Sequence, residues 1–217
     1  WSRGRDPEVG VAPEYLAAPP SDLPPAVAGT LIDENAELRD VLSTIIDLAR
    51  RGYLVIEEDR SEGFLGLGGR TTFTFKRTAK PLSDNNLRRY EQTLLTKLFG
   101  RKNAVEMEAL KNKFYAHIPT IQNQLYEEVV NEGFFTASPQ AIRRRWMWLG
   151  GGLVMVALFS GPFLLAVLGA EAGVAPEALI CLPMALGLVG LVVLIAGPRM
   201  PAKTAKGAEE AAKWRAF

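Results

Sequence analysis

The chain has 217 residues with 25 Lys and Arg, 24 Asp and Glu, one His and one Cys, for a formal net charge of +1. That length accommodates one or two small domains plus a membrane segment, and the lone Cys181 excludes an internal disulfide and a Cys-based metal site. Basic and acidic residues balance over positions 1–145, which removes the electrostatic argument for nucleic acid as a partner.

Residues 1–30 are rich in proline (Pro7, Pro13, Pro19, Pro20, Pro24, Pro25) and read as an extended juxtamembrane linker lying against the domain that follows. The absence of an initiator Met at Trp1 leads us to expect a piece of a longer protein. From Asn35, the positions Leu38, Val41, Leu42, Ile45, Ile46, Leu48 and Ala49 recur at helical spacing. Arg50-Arg51-Gly52 is a helix C-terminus by charge and by glycine. Tyr53–Glu57 and Thr71–Lys76 read as two strands joined by the Gly-rich segment Gly63–Gly69. Helix, tight turn, strand, loop, strand is the order of a winged-helix unit, here residues 31–82.

A second unit is expected over 83–142. Ser83 is a suitable N-cap for a helix over Asp84–Phe99, closed by Gly100. Glu106–Phe114 reads as a short helix and Pro119–Asn131 as a longer one. Gly133-Phe134-Phe135 then repeats the pattern of Gly52-Tyr53-Leu54. The fold class is therefore α+β: a winged-helix-like soluble region, one elaborated or two tandem units, followed by an all-α hairpin of two transmembrane helices.

The hairpin occupies 143–198. Trp146–Leu168 and Leu179–Gly197 carry no charged side chain, and about 20 helical residues cross a bilayer core. Arg143, Arg144 and Arg145 precede the first run; Arg199, Lys203 and Lys206 follow the second. The connecting loop 169–178 contains only Glu171 and Glu177 as charges. By the positive-inside bias, 1–145 and the juxtamembrane segment 199–217 are cytoplasmic, the loop is outside, and the chain sits in the plasma or inner membrane. The lipid bilayer is thus the first expected partner. Arg143, Arg144, Arg145, Trp146, Trp148, Arg199 and Lys203 are the expected membrane-interface residues. Pro162 and Pro183 fall mid-run and mark sites where each helix can kink. Gly187 and Gly190 lack GxxxG spacing, so no dimer face is expected from them.

Several stretches resemble a known family. They are Pro19-Pro20-x-x-Leu-Pro-Pro25, Asp47-Leu-Ala-Arg-Arg-Gly-Tyr-Leu-Val-Ile56 and Tyr90-Glu-x-x-Leu-Leu-x-x-Leu-Phe99, with Gly4-Arg-Asp-Pro7, Thr204-x-x-Gly207 and Trp214-Arg-Ala-Phe217 at the ends. They are similar to the bacterial predicted membrane proteins grouped as domain of unknown function 2207. The resemblance implies a layout of outer domain, membrane helix, cytoplasmic region and further helices. It implies no activity and no catalytic residues.

A search for chemistry finds no catalytic constellation, cofactor site or metal site. His117 is the only histidine, and a triad or His-based metal centre needs partners the sequence lacks. Ser160 lies in the first apolar run without an activating base and reads as a helix-packing serine. The Gly63–Gly69 segment lacks Gly-Lys-Ser/Thr and precedes a strand, so it is a wing tip and no phosphate loop. Glu57, Glu58, Asp59 and Glu62 read as a solvated turn. We therefore expect no enzyme and no small-molecule substrate. The expected role is a membrane-anchored cytoplasmic interaction or signalling module with a protein partner, contacted through Phe64 and Leu65 at the wing and Arg50 and Arg51 beside it. The alternatives are a membrane-tethered DNA-binding regulator and a subunit of a transport or envelope-assembly system.

Overall fold

The computed structural model describes residues 6–8, 10, 14–61, 70–82, 84–110, 114–168 and 176–217. Among them are eight α-helices and one three-stranded antiparallel sheet. The chain divides into two compact units. One holds residues 9–134 and 209–217; the other holds 135–208 and the segment up to Glu8.

In the first unit the chain turns helical earlier than its prolines suggest. Helix α1 spans Pro25–Asp33 and buries Ala26, Val27, Ala28, Thr30 and Leu31. The extended reading of residues 1–30 therefore fails from Pro25 onward. Proline at the first helical position loses no intrahelical hydrogen bond, and its fixed φ suits the helix. Helix α2 (Leu38–Arg50) opens with a reciprocal cap, in which the Glu37 N–H donates to Asp40 Oδ2 at 2.8 Å. Asp40 is buried, and burial raises its pKa above the usual carboxylate value. A Cβ added to Gly29 would stand 2.4 Å from Asp40 Oδ1, so a larger residue here would displace the Asp40 carboxylate from its place against α1.

Both glycine turns noticed in the sequence close helices by one geometry. Gly52 has φ +75°; its N–H donates to the Ala49 carbonyl at 2.9 Å, and the Tyr53 N–H donates to Leu48 at 2.9 Å. Gly133, closing helix α5 (Ile118–Asn131), has φ +76°, with its N–H on Val130 at 2.9 Å and the Phe134 N–H on Val129 at 3.0 Å. This is the Schellman arrangement, which glycine enters without a Cβ penalty. Each turn delivers two buried apolar residues, Tyr53 and Leu54 in one case and Phe134 and Phe135 in the other.

Strands β1 (Leu54–Ser61) and β2 (Arg70–Arg77) pair antiparallel from Leu54↔Arg77 to Ser61↔Arg70. The third strand differs from expectation. Ala104–Glu106, expected in part as helix, forms β3 on the free edge of β2, with Phe75 opposite Val105. The edge of β2 offers unpaired backbone groups that three residues suffice to satisfy. A shorter helix α4 (Met107–Leu110) follows. Helix α3 begins at Arg89 and ends at Phe99, later than the expected start at Asp84. Asp84 is otherwise engaged: its Oδ1 accepts the Asn86 N–H at 3.0 Å and its Oδ2 accepts the Tyr53 hydroxyl at 2.7 Å. Ser83, the expected cap, lies outside the described residues. Because β3 pairs with β2, the division drawn at 82/83 is crossed by the sheet, and both halves belong to one unit.

The same unit is completed from the far end of the sequence. Helix α8 spans Ala205–Ala216. Trp214 Nε1 donates to Ser21 Oγ at 3.2 Å, and the Leu16 N–H donates to the Ala216 carbonyl at 2.7 Å.

The second unit is built on α6 (Pro139–Leu168) and α7 (Pro176–Ala196), two helices long and apolar enough to cross a membrane. Each runs on through its internal proline, Pro162 in α6 and Pro183 in α7. Their contact is a seam of small residues. A Cβ on Gly190 would lie 2.9 Å from the Val154 backbone nitrogen, one on Gly150 would lie 2.9 Å from the Gly190 carbonyl, and one on Gly197 would lie 2.8 Å from Trp146 Cβ. Gly187 meets Ala157, and Gly161 meets Pro183. The seam recurs every three or four residues on both helices, as left-handed packing requires. Large side chains such as Phe159, Phe163, Leu182 and Leu188 are exposed.

The seam predicts the effect of one substitution. Gly190→Val should cost the hairpin about 1–3 kcal/mol by overpacking. In a Cys181→Ala background, disulfide formation between cysteines placed at 157 and 187 should fall with Gly190→Val. It should be unchanged with Leu188→Val at an exposed position.

Candidate interaction surface

The framework of the helix-and-sheet unit is an ionic network at the ends of α2 and α3. Glu91 is buried in the first turn of α3. Its Oε2 accepts the Arg88 N–H at 2.9 Å and its Oε1 accepts Arg51 at 2.7 Å. Arg51 also pairs with Asp47 at 3.3 Å and donates to the Asn86 carbonyl at 2.8 Å. The Arg51 guanidinium and Lys80 Nζ stand over the Tyr53 ring at 5.3 and 4.9 Å. Tyr53 in turn donates to Asp84, which pushes the phenol pKa up and the Asp84 pKa down. On the other side, Arg88 pairs with Glu128 and Glu132 of the α5 segment.

This framework fixes how α2 is rotated. Val41, Ile45 and Leu48 face the core, while Leu42 and Ile46 are 48% and 65% exposed and Leu38 is 39% exposed. Exposed residues at i, i+4 and i+8 form one apolar stripe. The stripe borders a groove of about 460 Å³ between α2, β2, α4 and the turn at Tyr115. Leu38, Leu42, Phe73, Met107, Leu110 and Tyr115 line it, and Glu106 and Glu108 stand at its edge.

The structure distributes the expected site residues unevenly. Arg51 is removed from the partner-contact set, because its guanidinium belongs to the internal network. Arg50 is exposed and pairs with Asp47 on its own helix at 2.9 Å. Phe64 and Leu65 lie outside the described residues. Glu57 and Glu58 pair with Lys76 and Arg60, and no group of three or more His, Cys, Asp or Glu among the described residues is arranged to hold a metal ion. Ser160 donates to the Ala157 carbonyl of its own helix at 3.3 Å.

In the hairpin unit, Arg144, Arg145, Trp148 and Arg199 are exposed. Trp146 is half-buried against Gly197, and Arg143 Nε donates to the Pro198 carbonyl at 3.2 Å. Lys203 is buried: its ammonium pairs with Asp6 at 3.1 Å, stands 5.7 Å from the Phe135 ring centre, and its backbone bridges to Phe135. It is an internal ion pair and not a lipid-facing cation. The apolar stripe on α2 was the feature that periodicity concealed, because Leu42 and Ile46 share the spacing of the true core residues.

Two apolar helices of membrane-crossing length joined to a helix-and-sheet unit mark a chain of the membrane-protein class. The family model described as predicted membrane protein (DUF2207), C-terminal domain, matches residues 12–217, and the chain belongs to that family. No curated protein and no solved structure matches it.

Breaking the network should be costly. Glu91→Ala uncaps α3 and leaves Arg51 with Asp47 and the Asn86 carbonyl alone, and loss of the cap and of one charged hydrogen bond costs about 2–4 kcal/mol. Glu91→Gln, which keeps an acceptor, should cost less. Urea unfolding of the full chain in detergent measures both; a Glu91→Ala variant within 1 kcal/mol of the parent would show the network to be dispensable.

Proposed function

We propose that the chain is a membrane-anchored, non-catalytic protein-interaction module whose soluble unit faces the cytoplasm. The observation that carries this reading is the apolar stripe Leu38, Leu42 and Ile46 opening into the groove over Phe73 and Met107. An exposed apolar surface of this kind on a folded unit marks an interaction site. A groove between a helix and a sheet suits the apolar face of an amphipathic helical segment, anchored at i, i+4 and i+7. Glu106 and Glu108 at the edge favour basic residues flanking those anchors. The order α2, Gly52 turn, β1, β2 supports a winged-helix-like descent for this unit. Its outward helix face is apolar, which favours protein over DNA as the ligand. The cytoplasmic orientation rests on Arg143–Arg145 and Arg199 outside the two spans and on the acidic loop between them.

Two experiments test this proposal. A photocrosslinking residue at Ile46 of the full-length protein in cells should give a discrete protein adduct, and Leu42→Glu should abolish it. Leu42 is exposed, so the substitution should leave stability within about 0.5 kcal/mol. An adduct that persists in Leu42→Glu, or none at all, overturns the groove as the docking site. For orientation, cysteines at positions 66 and 173 in a Cys181→Ala background are probed with an impermeant thiol reagent on whole cells. Reaction at 173 alone is the expected result; reaction at 66 alone inverts the topology.

A further inference from the structure

We propose that a basic cleft at the C-terminal end of α3 binds a phosphate-bearing anion. The cleft encloses about 360 Å³ and gathers Lys97, Arg101, Lys102 and His117 around an apolar floor that includes Val105 and Phe114. Gly100 shapes it. With φ +55° this residue ends α3, and the Lys102 N–H folds back to the Phe99 carbonyl at 2.8 Å. After this reversal Arg101 and Lys102 line the same cleft as Lys97.

Among the described residues, none of these side chains makes a hydrogen bond or ion pair, a condition shared in this unit by Arg77 on β2 but met by a group of cations only here. Elsewhere in the same unit Arg39, Arg50, Arg51, Arg60, Arg88 and Arg89 are all paired with carboxylates. A unit that pairs these six arginines and leaves three cations together in a concavity has a local positive field there. Cations near a helix C-terminus also offset its dipole, which accounts for Lys97. Arg101 and Lys102 lie beyond the helix end, so capping does not explain their convergence with His117. Three cations and an imidazole exceed what one carboxylate requires. They match a phosphoryl group, with charge approaching −2 and three acceptor oxygens, and the arginine fork suits two of those oxygens. The source of the phosphoryl group is a soluble phosphorylated compound or an anionic phospholipid headgroup, which share this chemistry.

His117 is the only histidine in the chain, so its imidazole provides a single NMR reporter inside the cleft. The full chain, labelled at histidine, is placed in phosphatidylcholine nanodiscs and titrated with inorganic phosphate, with sodium chloride at matched ionic strength as the reference. A second sample replaces part of the lipid with phosphatidylglycerol. A saturable shift with phosphate supports the cleft with a soluble ligand. A shift in phosphatidylglycerol discs, reversed by salt, supports it with a headgroup. In both cases K97Q/R101Q/K102Q should weaken the response roughly hundredfold, the single variants K97Q and K102Q should each weaken it in part, and Leu42→Glu should leave it intact. No shift in either sample, a shift equal to that of chloride, or an undiminished shift in the triple variant overturns the proposal.

Discussion

A carboxylate withdrawn from water must be met by cations and N–H donors, and Glu91 imposes that requirement on everything around it. One oxygen holds the first turn of α3 through Arg88, and the other holds Arg51 at the end of α2. Arg51 then lies over Tyr53, the residue that leads from the Gly52 turn into β1. The direction of α2, the entry to the sheet and the start of α3 are thus set together. The rotation of α2 that exposes Leu42 and Ile46 follows from the same anchor, so the candidate docking surface is a consequence of an internal ion pair.

The second unit obeys another rule. Between α6 and α7, among the described residues, no ion pair and no side-chain hydrogen bond specifies the contact; close approach at Gly150, Gly190 and Gly197 does. In lipid, apolar side chains gain nothing by leaving one apolar medium for another, so helices associate through shape. Where the hairpin meets its flanking segments, polarity returns, and Lys203 is held by Asp6 and the face of Phe135. One chain therefore uses charge pairing, steric fit and a mixture of the two.

The sequence was most legible where one residue type has one physical use. Gly52 and Gly133 announced their turns because only glycine adopts that φ at no cost. The apolar runs announced α6 and α7 because so long a stretch without charge has few other uses. Legibility failed where the answer depended on a distant partner. Ala104–Glu106 is too short to signal a strand, and only the edge of β2 makes it one. Asp84 looked like part of a helix until Tyr53 claimed its carboxylate. Arg51 looked like a surface cation until Glu91, forty residues on in sequence, was placed beside it. Gly150 and Gly190 gave no motif, because their complement lies across the hairpin. The candidate site suffered in the same way: helical spacing identified an amphipathic α2 and could not separate Ile45, which is buried, from Ile46, which is exposed.

The return of residues 209–217 to the helix-and-sheet unit has a consequence for biogenesis. Trp214 and Ala216 bond to Ser21 and Leu16 near the start of the chain, yet they are translated after both apolar helices. At about 5–20 residues per second, the ribosome takes roughly 4–17 s to pass from residue 134 to the end of that segment. During that interval the nascent unit lacks its last helix while the hairpin is being delivered to the bilayer. The first unit thus closes only after both apolar helices have been made, and a ribosome that stalls within the hairpin leaves Ser21 and Leu16 without their partners Trp214 and Ala216.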